Sequence, residues 1–222
     1  MDNLKKVKYW IFDLDNTLYP SSTNLFSKID KLMATFIIDK LKVTHDEALQ
    51  MKNDYFRKHG TTLNGLIKNH KIDPHDFLEF VHNIDYSFLK KNAKLNDQIK
   101  ILPGEKIIFT NGSKKHAERV IETLEIEKNQ FSIFDIVDSD FIPKPEKKPY
   151  EKLISQFKII PEQSIFIEDI ARNLRPAHEL GMQTAWVINS DEWASEGHGE
   201  DHIHYKINKL EDFLEKCNLL VQ

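Results

Sequence analysis

Short apolar runs alternate along the chain with stretches whose apolar residues recur every three or four positions. That is the pattern of a parallel α/β sheet with crossover helices. Five runs read as buried strands: Tyr9–Phe12, Lys106–Phe109, Phe134–Val137, Ser164–Ile167 and Thr184–Ile188. Between them, Lys114–Leu124 gathers Ala117, Val120, Ile121 and Leu124 on one helical face, and Pro149–Phe157 does the same with Leu153, Ile154 and Phe157. Further helices are predicted over Ala171–Leu180 and from Leu210 onward.

One interval breaks the alternation. No strand pattern occurs between Pro20 and about Leu102, where Leu25, Ile29, Leu32, Phe36 and Leu41 instead mark an amphipathic helix. Thr44 and Glu47 have the capping-box form that opens a second helix. Leu63–Ile67 reads as a short helix, and Pro74 sits early in another that carries Phe77, Phe80 and Val81. The expectation is an all-helical insert over residues 21–100, set in a core made of residues 1–20 and 101–222.

Composition narrows the class. The chain has 222 residues, 31 basic and 35 acidic, a formal net charge of −4, so neither nucleic acid nor an anionic membrane is an expected partner. Its one cysteine, Cys217, forms no internal disulfide, which fits a reducing compartment. No apolar run reaches the roughly 18 residues of a membrane span. Lys5 and Lys6 precede an apolar run that Asp13 stops, so no signal peptide is read. A cytoplasmic protein, monomer or homodimer, is expected.

The chemistry sits at strand ends. The first strand runs into Asp13-Leu14-Asp15-Asn16-Thr17, where carboxylates at i and i+2 share a side of extended backbone. Open α/β sheets bind ligands at such ends, although an Asp-rich turn looks the same in isolation. The second strand runs into Thr110-Asn111-Gly112-Ser113 and then a helix, which suits an anion or a simple N-cap. Lys144-Pro145 follows the third strand and offers a positive charge, or a solvated lysine beside Lys147 and Lys148. The fourth ends in Glu168-Asp169, a second acidic pair that is costly unless a cation joins the carboxylates or a helix terminus accepts them. Hard oxygen ligands from Asp13 and Asp169 suit Mg2+.

The ordered set Asp-x-Asp, Thr-Asn, Lys-Pro and Glu-Asp resembles the four motifs of the haloacid dehalogenase superfamily, over nearly the whole chain. The resemblance implies a Rossmann-like sheet of order 5-4-1-2-3 with a helical cap inserted after strand one. Stretches such as Asp13–Tyr19, Tyr55–Leu66, Val81–Tyr86, Phe109–Ala117 and Phe166–Leu174 are similar to the pyrimidine 5′-nucleotidase branch.

That resemblance implies a Mg2+-dependent phosphomonoesterase. Asp13 would attack phosphorus to form an aspartyl-phosphate, and Asp15 would serve as acid and then base. Asp13, the Asp15 carbonyl and Asp169 would hold Mg2+, with Glu168 ligating through water. Thr110, Asn111 and Lys144 would bind the phosphoryl oxygens, and Asn173 would support the acidic loop. The presence of Asp15 favours phosphatase over dehalogenase, because halide leaves without a proton. A small-molecule phosphate monoester is the expected substrate, with pyrimidine nucleoside 5′-monophosphates first. Small sugar or glycolate phosphates come second, and a phosphomutase or an inactive scaffold are further alternatives. In the insert, Gly60 and Gly65 would shape a loop in which Thr61, Thr62 and Asn64 meet the base or ribose, with Tyr55 or Phe56 stacking. Trp186 and Trp193 are read as packing, and His198, His202 and His204 as an exposed loop.

Overall fold

The computed structural model describes residues 2–189 and 192–221. The order along the chain is β1 (Tyr9–Phe12), α1 (Leu25–Leu41), α2 (His45–His59), α3 (Thr62–His70), α4 (Pro74–Val81) and α5 (Ala93–Ile101). There follow β2 (Glu105–Phe109), α6 (Lys114–Thr123), β3 (Ser132–Phe134), α7 (Lys147–Phe157), β4 (Ser164–Glu168), α8 (Leu174–Glu179), β5 (Gln183–Val187), β6 (Tyr205–Ile207) and α9 (Leu210–Val221). All strand pairs are parallel, in the order β3-β2-β1-β4-β5-β6. The five expected strands stand in the expected order, and β6 extends the sheet beyond β5. No helix among the described residues is long and apolar enough to cross a membrane.

The strands are apolar without interruption because both faces of the sheet are covered. Trp10, Phe12, Ile108, Ile165, Ile167, Ala185 and Val187 point to one side, where α5, α6 and α9 supply residues such as Leu95, Val120 and Leu214. Ile11, Ile107, Phe109, Phe166 and Trp186 point to the other, against Tyr150 and Leu153 of α7 and Leu174 and Ala177 of α8. A third cluster, with Ile29, Phe36, Ile37, Leu66, Phe77 and Val81, lies among α1 to α4 and reaches Ile136. Leu95 and Ile99 of α5 pack with the sheet-side cluster, although they fall before residue 100.

Local chemistry places the ends of these elements. The Thr44 capping box forms: its N–H donates to Glu47 Oε2 at 2.8 Å, and Thr44 Oγ1 accepts from the Glu47 N–H. The third strand departs from the sequence reading, ending at Phe134 instead of running to Val137. Asp135 Oδ1 accepts the N–H groups of Val137 and Asp138, each at 2.9 Å, which bends the chain out of the ladder into a turn. The histidine loop is also corrected in part. His202 is buried with Nε2 2.9 Å from the Ala171 carbonyl, and His204 Nδ1 accepts the Thr184 N–H of β5 at 3.1 Å.

Candidate active site

Asp13 is the residue just past β1, and its N–H continues the ladder to the Ile167 carbonyl at 2.8 Å. Its carboxylate is thereby fixed to the middle of the sheet, next to the end of β4. Lys144 arrives from the far side of β2, fully buried, and its ammonium contacts Asp13 Oδ1 at 2.7 Å, Glu168 Oε2 at 2.7 Å and the Phe109 carbonyl at 2.8 Å. Those three oxygens take all three ammonium hydrogens. A further acceptor at this ammonium would have to displace one of these three partners.

Asn111 holds the lysine in place. Its Oδ1 accepts the Lys144 N–H at 2.9 Å and its Nδ2 donates to the Lys144 carbonyl at 3.4 Å. Thr110 is buried at the end of β2, and its Oγ1 accepts the Gly112 N–H at 2.9 Å, which leaves its own hydrogen to donate elsewhere. Asp169 Oδ2 accepts from Asn189 at 2.8 Å, and its carbonyl accepts from Trp186 Nε1 at 2.7 Å. Asn173 is buried nearby, its carbonyl accepting the Tyr150 hydroxyl at 2.6 Å.

Carboxylate oxygens of Asp13, Glu168 and Asp169 lie within 4.8 Å of one another. Burial pushes the Asp13 carboxyl up to about 7, helped by Glu168 and opposed by Lys144. Burial, then Glu168 and Asp13, hold Asp169 well above the usual carboxylate range. Burial alone would lower Lys144, but Asp13 and Glu168 raise it above the ordinary lysine value. Three buried hard-oxygen donors this close together, two of them with raised carboxyls, fit a divalent cation such as Mg2+.

Asp15 is treated differently. Burial would raise its carboxyl, but the His116 charge and hydrogen bonds from His116 and Tyr19 outweigh that and lower it. His116 is fully buried on α6, with Nε2 2.8 Å from Asp15 Oδ1. The Tyr19 hydroxyl donates to the same oxygen. His116 Nδ1 is 2.9 Å from the Tyr86 hydroxyl, whose single hydrogen goes to the His82 carbonyl at 3.0 Å. Tyr86 therefore accepts from His116, and Nδ1 carries a hydrogen. His82 stacks on His116 with ring centroids 4.3 Å apart. The sequence reading gave Tyr19 and His116 no role. Their signal was position: four residues after Asp15, and in the first turn of the helix that follows Thr110-Asn111.

These groups open onto one cavity of about 790 Å3 whose wall includes Asp13, Asp15, Thr110, Lys144, Glu168 and Asp169. Its other side comes from α1 to α4. Thr61 and Thr62 line it, but Tyr55 and Asn64 do not. Tyr55 turns its hydroxyl to His70 Nε2 at 2.6 Å, and Asn64 donates to the His59 carbonyl at 2.8 Å. Thr61 Oγ1 caps α3 by accepting from the Asn64 N–H. Gly60, at φ +80°, does end α2. Gly65 shapes no loop: it lies within α3, where a Cβ would come within 2.3 Å of Tyr55. The aromatic wall is instead Phe56 and Phe26, each against Trp193, with ring centroids 5.3 and 6.4 Å apart. Trp193 is thus a cavity residue, whereas Trp186 is packing.

Comparison with known proteins agrees with this arrangement. Residues 10–187 match the family model of haloacid dehalogenase-like hydrolases. The chain is 32% identical over 198 residues to phosphate metabolism protein 8 of Saccharomyces cerevisiae, covering 79% of this chain and 60% of that protein. It thus spans about three fifths of the yeast relative. Glyceraldehyde 3-phosphate phosphatase of Methanocaldococcus jannaschii is 22% identical, over 94% of this chain and 96% of that one. Among solved structures, a HAD phosphatase from Thermococcus onnurineus superposes with a TM-score of 0.61 at 16% identity, covering 95% of this chain and 97% of its own. With the family model spanning the sheet from β1 to β5 and the motif residues meeting at its strand ends, the chain belongs to the haloacid dehalogenase-like hydrolases.

Proposed function

We propose that the protein is a Mg2+-dependent phosphatase that hydrolyses nucleoside 5′-monophosphates, pyrimidine nucleotides first, through an aspartyl-phosphate on Asp13. The observation that carries the reading is Asp13 held between Lys144 and the Glu168–Asp169 pair, with Asp15 on the wall of the same cavity. The phosphatase names of the archaeal relative and of the archaeal structure support the reaction class. Residues 21–100 are read as the cap, its inner end nearer Val81 because α5 packs with the sheet.

In the first step an Asp13 oxygen bonds to phosphorus as the bond to the leaving oxygen breaks, and Asp15 gives that oxygen a proton. In the second, water attacks phosphorus, Asp15 takes its proton, and the Asp13–phosphorus link opens to release phosphate. Thr110 donates its hydroxyl hydrogen to a phosphoryl oxygen beside the Asn111 N–H, and Lys144 offsets the dianion by charge. Asp13, the Asp15 carbonyl and Asp169 would hold Mg2+, with Glu168 beside them. The bound ion would neutralise part of the charge that repels a carboxylate nucleophile.

A cavity of about 790 Å3 is of the size that takes a drug-sized ligand, larger than glycolate phosphate needs. Aromatic surface from Phe56, Phe26 and Trp193 suits a base. A small sugar or triose phosphate is the second reading, favoured by the archaeal relative that matches this chain along almost its full length. The test is kcat/KM with Mg2+ on UMP, CMP, AMP, phosphoglycolate and ribose 5-phosphate. Asp13→Asn should remove turnover on all of them. Turnover surviving in Asp13→Asn refutes the nucleophile, and a higher value for phosphoglycolate or a sugar phosphate refutes the substrate.

A further inference from the structure

Lys52 on α2 is buried in the wall of the cavity, its side chain 10% exposed. Its ammonium bonds Asp30 Oδ2 of α1 at 2.5 Å, and Asp30 also lines the cavity, its side chain 41% exposed. Among the described residues, Asp30 is the one acceptor for this ammonium. An ammonium has three hydrogens, so two are left without a protein oxygen. The same cavity is lined in part by the apolar Ile29, Met33, Leu63 and Phe77. A charge in such a place is costly unless its remaining hydrogens find acceptors. A tie between two helices needs only the Asp30 contact. Because Lys52 lines the cavity, a molecule bound there could fill the two remaining hydrogens.

We infer that the Lys52–Asp30 pair is the element that selects the leaving group, by reading a neutral edge that sets a hydrogen-bond acceptor next to a donor. The inference rests on the nucleotide reading above and assigns residues to it. Uracil presents a carbonyl beside a ring N–H, and cytosine presents a ring nitrogen beside an amino group. In each, the acceptor takes a hydrogen from Lys52 and the donor gives one to Asp30. The same pair disfavours an anionic leaving group. A carboxylate that reached Lys52 would also meet the Asp30 carboxylate beside it and be repelled. Arg57 lines the cavity too, but it is exposed and water screens it.

The test compares kcat/KM for UMP, phosphoglycolate and p-nitrophenyl phosphate in the wild type, Asp30→Asn and Lys52→Met. Asp30→Asn leaves the Lys52 charge uncompensated, so the UMP-to-phosphoglycolate ratio should fall about tenfold, the scale of losing one hydrogen-bonded charge match. Lys52→Met should lower the ratio of UMP to p-nitrophenyl phosphate by a similar factor. Should Lys52→Met fail to fold, the half-exposed Asp30→Asn decides alone. A change in the Asp30→Asn ratio of less than about threefold, in a wild type that prefers UMP, overturns this inference and leaves the nucleotide reading standing. A wild type that prefers phosphoglycolate overturns that reading and the inference with it.

Discussion

His116 Nε2 lies 2.8 Å from Asp15 Oδ1, the same oxygen that the Tyr19 hydroxyl contacts. Both partners crowd one oxygen, so the side chain is locked and Oδ2 is the oxygen turned to other work. Because Tyr86 requires a hydrogen on His116 Nδ1, one proton is shared between the imidazole and the carboxylate. In the proposed reaction, where Asp15 would give a proton and then take one, a partner of this kind would help.

His116→Asn should therefore lower kcat by about tenfold to a hundredfold, part of the range that general acid–base groups contribute, with KM changed far less. Steady-state kinetics on a fixed nucleotide with Mg2+ measures both. An equal rise in KM with kcat intact would mean that His116 merely shapes the cavity.

Lys144→Met should cost on the order of 3–5 kcal/mol of stability, because it strands Asp13 and Glu168 without their buried cation. At this chain length each kcal/mol moves Tm by about 2–4 °C, so a fall on the order of 10 °C is expected. Thermal melts with and without Mg2+ read it, and Mg2+ should recover part of the loss. A Tm within a degree or two of the wild type would show that the pair adds little.

Mg2+ should stabilise the protein more at pH 8 than at pH 6. The folded Asp13 carboxyl, raised to about 7 by burial and Glu168, keeps a proton that the unfolded chain releases near 3.8. Between those values the folded state binds more protons, so stability without metal falls as pH rises through that window. A cation bound there would take the proton's place, and protons would compete with it below about 7. At a hundred times Kd the gain is about 2.7 kcal/mol. Melting curves with and without Mg2+ at both pH values check this, and a shift at pH 6 equal to that at pH 8 counts against it.

Gly65→Ala should destabilise by about 1–3 kcal/mol, since the added methyl would overlap Tyr55 across the α2–α3 contact. Urea denaturation measures the loss. An unchanged midpoint would mean that the two helices separate at little cost.

The sequence made the sheet and the motif residues readable for one reason. Strands buried on both faces must be apolar throughout, and runs such as Tyr-Trp-Ile-Phe stand out from everything around them. The polar residues right after such runs, Asp13, Thr110 and Asp169 among them, are then placed by the strand that precedes each. What depended on side-chain partners was harder to see. The end of β3 turned on the two N–H groups that Asp135 accepts, and β6 is only three residues long. In the insert, periodicity locates α1 to α4 but does not say which face of α2 meets α3. Tyr55 therefore fell on the wrong side of that helix, and Phe56, one position on, faces the cavity. Trp193 reaches the same wall from 168 positions beyond Leu25, a distance no local pattern spans.

The placement of Trp193 also gives the chain an optical property. Of its three tryptophans, Trp10 is wholly enclosed and Trp186 is 4% exposed, while Trp193 is 36% exposed and stands against Phe26 and Phe56. A flat molecule sliding onto that wall would change the surroundings of Trp193 most directly, since neither Trp10 nor Trp186 lines the cavity. The emission of the unlabelled protein should then report occupancy of the wall, with Trp193→Phe as the blank.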